Sequence, residues 1–222
     1  MQNDNQAIKE LKSILNEHLP ELTEIDCDSL LKFYFLVLSE SKVQNLTRLL
    51  GPEDFFDNHI FDAVFFNNLG SSESNFLDFG TGCGSPGLIC ALLSKTNWVL
   101  VDSEKMKAHF LEKTVREIDF FKKPEVYHGR AEQYLRSAKK KFTITSKAVA
   151  KASKTLALIS ECSTWNQLYI FKGPKWDDEK GELAKYIVKN EIHEPVIIEY
   201  QSPIRKVNRK IIQIKKFHVE QG

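Results

Sequence analysis

The chain has 222 residues, enough for one substantial domain with an extension, and its hydrophobic content of 42% supports a packed core. The formal net charge of +1 argues against a protein coated with basic residues for binding nucleic acid, but it allows a local basic patch, because steering depends on how charge is distributed. The four cysteines form no C-x-x-C pair, so the sequence indicates neither a zinc cage nor a disulfide framework, and we expect no bound metal.

The first 68 residues have the pattern of helices. Apolar residues recur at helical spacing over residues 8–15 and 30–38, and Pro52 with the two acidic residues after it fits the first turn of a third helix that runs to about Phe66. The amino terminus is polar, and the apolar run at 33–38 is far too short to span a bilayer. We therefore expect a cytoplasmic protein without a membrane partner.

Strands begin only after residue 72 and then alternate with helices. The pattern predicts strands at 76–79, 98–101, 125–127, 142–145 and 167–171, with helices at 87–93, 105–118 and 154–161. Such alternation is typical of a parallel sheet that is covered on both faces. After Pro195, two runs at 196–200 and 210–215 predict a terminal β-hairpin. We expect an α/β fold in two parts, a helical extension at 1–69 and a sheet domain at 70–222.

The most informative segment is residues 76–87, Phe-Leu-Asp-Phe-Gly-Thr-Gly-Cys-Gly-Ser-Pro-Gly. A short apolar run and an acid lead into four glycines, which let the backbone turn sharply and approach a ligand that a Cβ would push away. Asp102 follows Gly82 by 20 residues and closes the next apolar run, where an acidic side chain accepts hydrogen bonds from a ribose. The sequence therefore predicts a nucleoside-containing cofactor on a parallel sheet.

Two cofactor classes fit these glycines. Residues 82–87 satisfy the dinucleotide pattern G-x-G-x-x-G, but this register starts late after the strand and puts Pro86, which has no N–H to donate, into the phosphate-binding turn. Residues 78–84 satisfy the D-x-G-x-G-x-G pattern of S-adenosylmethionine-dependent methyltransferases, which starts on time. Its acid, Asp78, repels a pyrophosphate and suits a cationic methionine group.

Three functions stay open beside a plain glycine turn: a methyltransferase, an oxidoreductase that uses a nicotinamide dinucleotide, and a non-catalytic protein of the same fold that binds RNA or a partner. None of the six tyrosines is followed by a lysine four residues later, so the Tyr-x-x-x-Lys pair of short-chain dehydrogenases is missing. The retained acids and glycines count against the non-catalytic alternative.

Four segments follow one another along the chain: Asn45-Leu46-Thr47, His59-Ile60-Phe61-Asp62, residues 78–87 and His128-Gly129-Arg130-Ala131-Glu132. In their order and spacing the chain resembles the RsmG family, also called GidB, from about residue 28 to 173. The resemblance implies a class I methyltransferase with a Rossmann-like sheet and a helical amino-terminal cap. It also implies transfer of a methyl group from S-adenosylmethionine to N7 of one guanine in bacterial 16S ribosomal RNA, so the implied partner is that RNA or the small ribosomal subunit.

The resemblance assigns roles to individual residues. Gly80 and Ser85 match the family's cofactor contacts in the glycine turn, and Ala131 with Glu132 matches the pair that holds the adenine end. Lys147 occupies the place of an arginine in the family's Ser-Arg-Ala segment and is the expected catalytic residue. The full set of expected cofactor-binding residues is Asp78, Gly80, Gly82, Gly84, Ser85, Asp102, Ala131, Glu132 and Lys147.

Two of these positions depart from the family pattern. Ser85 stands where the family usually has a bulky residue, which predicts a looser cofactor pocket. Lys147 keeps the charge of the family's arginine, but lysine lacks the planar fork that binds a carboxylate, a phosphate or a guanine edge through two hydrogen bonds.

The implied acceptor explains why no catalytic base stands out. Guanine N7 has a free lone pair at neutral pH, so methyl transfer depends on positioning and needs no general base. The sequence has no Asn-Pro-Pro-Tyr or Asp-Pro-Pro-Tyr motif for exocyclic amines and no Pro-Cys nucleophile for carbon 5 of pyrimidines. Cys83 lies inside the glycine turn, and we interpret it as a packing residue.

Basic residues cluster at 139–154 and at 205–210, with Trp165, Tyr169 and Trp176 between them. We expect these clusters to contact phosphates if the helix and hairpin ends meet around the cofactor mouth, although solvation is the ordinary role of any single surface lysine.

Two further interpretations concern histidines. His59 and Asp62, three residues apart on one helical face, either line the mouth of the active site or cap the packing between the extension and the sheet, and we favour packing with a hydrogen bond. His109 is interpreted as a core or boundary residue. We expect the protein to be a monomer.

Overall fold

Strands that are apolar along their whole length require cover on both faces of their sheet. The computed structural model describes residues 2–190 and 192–216 and contains such a sheet. Its seven strands have the order β3-β2-β1-β4-β5-β7-β6. The first five are parallel, and β7 runs antiparallel to β5 and β6. The strands are β1 (Asn75–Phe79), β2 (Asn97–Asp102), β3 (Glu125–His128), β4 (Phe142–Lys147), β5 (Trp165–Lys172), β6 (Val196–Gln201) and β7 (Asn208–Lys215).

The helices flank the sheet and form the amino-terminal extension. They are α1 (Gln2–His18), α2 (Glu24–Glu40), α3 (Pro52–Phe55), α4 (Phe61–Asn68), α5 (Gly87–Leu93), α6 (Lys105–Glu117), α7 (Ala131–Ser137), α8 (Ala152–Ser160) and α9 (Lys180–Lys189), with a 3₁₀ turn at Pro174–Asp178. None of the helices in the described part of the chain combines the length and apolar character needed to cross a bilayer.

The predicted α/β class, the strands and the terminal hairpin are confirmed. Two helices were not predicted, because each buries too few apolar residues to give a helical repeat: α7 buries Ala131 and Leu135, and α9 buries Leu183 and Ile187. The predicted third helix is interrupted by one π-helical turn, Phe56–Ile60, between α3 and α4. The division into parts at 1–69 and 70–222 stays a prediction, and its outer limits lie outside the described residues.

Alternating side chains of each strand enter two different cores. On β2, Trp98 and Leu100 pack with the helical extension, α5 and α6, whereas Val99 and Val101 pack with the helices of the opposite face, α7 to α9. The extension therefore completes the cover of one sheet face, which places its π-helical turn beside the carboxyl ends of the strands.

Two buried carboxylates fasten the extension to the carboxyl-terminal hairpin. Asp57, which is fully buried, accepts hydrogen bonds from the backbone N–H groups of Ile204 (3.2 Å) and Arg205 (2.7 Å). Asp62 accepts hydrogen bonds from Tyr200 Oη and Arg209 Nη1, both at 2.8 Å. The π-helical turn and the hairpin are thus held together by charge-assisted hydrogen bonds.

We expect Asp57→Ala to lower the free energy of unfolding by about 3 kcal/mol, because two backbone donors lose a charged acceptor. Urea unfolding followed by tryptophan fluorescence measures this loss. Asp178→Ala, at an exposed position, is the matched control and should change stability little. Equal stabilities of the two variants would contradict a fastening role for Asp57.

Candidate active site

The glycine turn after β1 has the backbone that its sequence requires. Gly80 and Gly82 have φ values of 70° and 59°, in the left-handed region that favours glycine. The N–H groups of Gly80 and Thr81 both donate to the carbonyl of Val101, at 2.9 and 3.0 Å, which ties the turn to the end of β2. A Cβ added to Gly80 would lie 2.5 Å from Val149 Cγ2, so the loop after β4 covers this glycine closely.

Asp78 lies beneath the turn. Its carboxylate accepts hydrogen bonds from Gly87 N–H at 2.8 Å and from Thr145 Oγ1 at 2.7 Å. Burial raises the pKa of Asp78, and these two hydrogen bonds oppose that rise. The side chain thereby joins the ends of β1 and β4 to the first turn of α5, and it shapes the turn from below.

Asp102 meets the glycine turn from the neighbouring strand. Its Oδ2 accepts from Gly82 N–H and its Oδ1 from Glu104 N–H, each at 2.9 Å. The carboxylate is buried but borders an open crevice. The sequence spacing between Gly82 and Asp102 therefore corresponds to a direct contact.

The crevice at the carboxyl ends of the strands has a volume of about 660 Å³. Five of the expected site residues line it, and they come from the glycine turn, β2 and β4: Gly80, Gly82, Ser85, Asp102 and Lys147. The extension supplies another wall, which includes Thr47 and His59.

The other four expected residues do not line this crevice. Asp78 lies below the turn, and a Cβ added to Gly84 would point at Leu88 and Phe33, at 3.0 and 3.3 Å. Ala131 is a core residue at the start of α7. The neighbouring Glu132 has a buried Oε2 without a hydrogen-bond partner among the described residues.

Sequence reasoning missed several residues of the crevice wall, four of which come close to the glycine turn, β2, β3 or β4. Arg130 and Lys107 border it after β3 and β2, and Asn58 and Val149 border it near β4. Arg130 lies inside one of the segments that carry the family resemblance, and that position could have indicated a place in the crevice wall. Asn58 lies in the π-helical turn, which helical periodicity does not indicate.

His59 and Cys83 pack together in the wall of the crevice. The His59 Nε2 lies 3.2 Å from Thr47 Oγ1, its Nδ1 lies 3.8 Å from Cys83 Sγ, and its ring centre lies 4.8 Å from that of Phe55. Burial lowers the pKa of His59 well below its usual value, and the charges of Lys147 and Arg209 lower it further. Burial raises the pKa of Cys83 to about 11. Both groups are therefore neutral at pH 7, and both combine packing contacts with a place in the crevice wall.

A second cavity, of about 520 Å³, adjoins the crevice. Asn58, Lys147 and Ala148 line both cavities. Asp62 and Arg209 lie in the wall of the second cavity, together with residues of β5 and the hairpin. Lys147 thus stands at the junction of the two spaces.

Asp62 is the centre of a charged cluster in this wall. Its carboxylate is 2.6 Å from Lys147 Nζ, and Arg209 Nη1 donates to both of its oxygens at 2.8 Å. Lys147 also donates to the carbonyl of Asn58. Burial raises the pKa of Tyr200, and the Asp62 charge adds to that rise. Because two cations share one carboxylate, the cluster has a net positive charge.

The basic clusters separate in space. Lys147, Arg205 and Arg209 line the second cavity, but Lys139, Lys140 and Lys141 precede β4 and lie at the other end of the strand.

One expectation about a side chain was wrong, because His109 is exposed on α6 instead of being a core or boundary residue. Trp165, Tyr169 and Trp176, which lie between the two basic clusters in sequence, are buried in the core.

The chain matches the family model described as GidB, rRNA small subunit methyltransferase G, over residues 26–208. It is 29% identical over 209 residues to the ribosomal RNA small subunit methyltransferase G of Solibacter usitatus, with 93% of this chain and 98% of that protein covered. It is 31% identical over 156 residues to the protein of the same name from Mesoplasma florum, with 68% and 65% covered.

Two solved structures share the fold. An O-methyltransferase from Bacillus cereus in complex with SAH has a TM-score of 0.61 at 13% identity, with 93% of this chain and 97% of that chain covered. TrmK of M. capricolum in complex with S-adenosyl-homocysteine has a TM-score of 0.55 at 13% identity, with 73% and 74% covered. With its family match extending over most of its length, the chain belongs to the GidB family, the rRNA small subunit methyltransferases G.

Proposed function

We propose that this methyltransferase transfers a methyl group from S-adenosylmethionine to N7 of a guanine in 16S ribosomal RNA. The observation that carries the proposal is the junction of two cavities at Lys147, one at the glycine turn and one lined by cations. Adjoining cavities of this kind suit a donor nucleoside and an acceptor base that must meet in line.

The crevice fits the donor. Each oxygen of Asp102 accepts one backbone N–H and keeps capacity for a second hydrogen bond, as recognition of two ribose hydroxyls requires. Gly80 and Gly82 expose backbone where a Cβ would obstruct a ligand. When bound, S-adenosylmethionine supplies a methyl group on a positively charged sulfur.

The order of the strands in the sheet indicates how the cofactor is oriented in the crevice. Because β3 and β2 lie on one side of β1 and β4 lies on the other, we assign the adenine end to the side of Arg130 and the methionine end to the side of Ser85 and Lys147. Glu132 lies two residues after Arg130 and outside the crevice wall, and we assign its buried Oε2, which has no hydrogen-bond partner in the described part of the chain, to a donor such as the adenine amino group. Asp78 acts from below by fixing the turn.

The second cavity fits the acceptor. Guanine presents O6 and N7 as acceptors on one edge, and arginine and lysine are the usual partners of that edge. Lys147 and Arg209 supply such donors beside Asp62. Lys147 at the junction is the residue that we expect to contact the reacting base. Since N7 carries no proton, the neutral His59 and the protonated Cys83 need take no part in proton transfer.

A single chain forms both cavities. This supports a monomer as the active form, and methylation of ribosomal RNA supports the cytoplasm, where bacterial ribosomes are assembled, as the place of action.

Mass spectrometry of small-subunit RNA from cells with and without this gene tests the proposed function. We expect one 7-methylguanosine to be missing without the gene and restored by the wild-type gene. An unchanged 7-methylguanosine content, or loss of a different modified base, would contradict the proposed acceptor.

Asp102→Ala should weaken S-adenosylmethionine binding by about 1.5–3 kcal/mol, the range for charged hydrogen bonds, which is about 10- to 150-fold in Kd. Isothermal titration calorimetry measures the affinity, and circular dichroism confirms that the variant is folded. The exposed Asp119→Ala is the matched control. Unchanged affinity in Asp102→Ala would show that the ribose binds elsewhere, and tight dinucleotide binding without a response to S-adenosylmethionine would favour the oxidoreductase alternative.

Alanine substitutions at two glycines that have the same φ angle distinguish a steric clash of the new Cβ from strain of the backbone. Gly70 and Gly80 both have φ of 70°, but a Cβ at Gly70 meets nothing within 4 Å, whereas a Cβ at Gly80 meets Val149. We expect each alanine variant to lose about 1–2 kcal/mol of folding stability from the left-handed backbone, and Gly80→Ala to lose more because its Cβ displaces Val149. Only Gly80→Ala should also weaken cofactor binding, by about tenfold or 1.4 kcal/mol. Equal cofactor affinities of the two variants would contradict close approach of the cofactor to Gly80.

A further inference from the structure

The opposite edge of the sheet carries a second basic surface. Since β1 to β5 are parallel, the crevice lies at their carboxyl ends, and the loops that enter β2, β3 and β4 lie at the amino ends. These loops contain six exposed lysines, which we call the amino-edge lysines: Lys95, Lys122, Lys123, Lys139, Lys140 and Lys141.

Three of these lysines border a groove of about 390 Å³. Lys123, Lys139 and Lys140 lie in its wall with Tyr134 and Asn97. The groove has one acidic side chain in its wall, Glu125, which accepts a hydrogen bond from Tyr134 Oη at 2.9 Å. The cationic side chains thus outnumber the carboxylates around the groove.

The amino-edge lysines are not neutralised within the described part of the chain. No carboxylate among the described residues forms an ion pair with them. Glu161, the first acidic residue after β4 in the sequence, pairs instead with Arg136 at 3.8 Å. By contrast, Lys151 and Lys210 pair with Glu182 and Glu199, at 2.7 and 2.6 Å. The surface charge of this edge is therefore available to an external anion.

An exposed aromatic ring accompanies the charge. Phe121 is 67% exposed, and Lys95 Nζ lies 4.7 Å from the centre of its ring. Lysines that contact phosphates next to an aromatic ring that can stack on an unpaired base are typical of RNA-binding surfaces.

We propose that the amino edge binds the phosphate backbone of ribosomal RNA outside the segment that enters the crevice. This inference rests on the proposed function and adds a second RNA contact to it. The two contacts lie at opposite ends of the parallel strands. They are therefore about 17 Å apart, the length of a five-residue strand such as β1. A hairpin chosen short enough to occupy only the crevice leaves the amino edge free, but folded ribosomal RNA can contact both.

The test compares two RNAs and two triple variants. The probes are a full-length 16S RNA transcript and a short hairpin that contains the methylated guanine. The test variant combines Lys139→Gln, Lys140→Gln and Lys141→Gln. The control combines Lys9→Gln, Lys12→Gln and Lys185→Gln, which remove the same charge from exposed positions elsewhere.

We expect the test variant to bind full-length RNA at least tenfold more weakly than wild type. The slope of log affinity against log salt should fall by about 2–3, since each phosphate contact contributes about 0.9. Its affinity for the hairpin and its kcat on the hairpin should equal those of wild type. The control variant should match wild type on both RNAs.

The outcomes separate this inference from the proposed function. If wild type methylates RNA and the test variant keeps the wild-type affinity and salt slope on full-length RNA, the second contact is wrong and the proposed function stands. If wild type methylates neither of these RNAs nor small ribosomal subunits isolated from cells without the gene, the proposed function itself fails.

Discussion

The buried carboxylate of Asp62 is the interaction on which the site depends. This side chain is 1% exposed and lies between three parts of the fold, the extension that carries it, the end of β4 at Lys147 and the hairpin at Arg209. A carboxylate without partners is costly to bury, and removing one partner of a buried pair leaves an uncompensated charge. Asp62 and its partners therefore hold the extension, the sheet and the hairpin at the junction of the two cavities.

The same cluster determines the chemistry that the site supports. Lys147 and Arg209 together exceed the charge of Asp62, and they help to keep the buried His59 uncharged. The cavity wall is thus rich in hydrogen-bond donors, and its accessible carboxylate, Asp54, is paired with Arg205 at 3.2 Å. That combination suits an acceptor atom with a free lone pair, because such an atom needs orientation and no proton removal.

The carboxyl edge of the sheet could be predicted well from the sequence. Apolar strands with short helices between them determine a parallel sheet, and parallel strands bring their carboxyl ends together, so the contact of Gly82 with Asp102 followed from their spacing. Tertiary details were not predictable in this way. The π-helical turn that brings Asn58 to the crevice leaves no periodic signal, and Asp78 appears as an active-site acid in sequence but is a support for the turn in the structure.

Grouping lysines by their position along the chain also failed for a physical reason. Residues 139–141 and Lys147 are neighbours in sequence, but β4 runs between them in extended conformation. At about 3.3 Å per residue, this strand places them at opposite ends of its length. The lysines before a strand and the cation at its end therefore face different surroundings.

The packing of Val149 over Gly80 links two loops that are far apart in the chain. A methyl group at position 80 would overlap the valine side chain at 2.5 Å, so a larger residue after β1 requires a smaller one after β4. In evolutionary terms the constraint runs in one direction: a lineage that loses the glycine must also shorten the side chain at position 149, whereas position 149 can become smaller while the glycine stays.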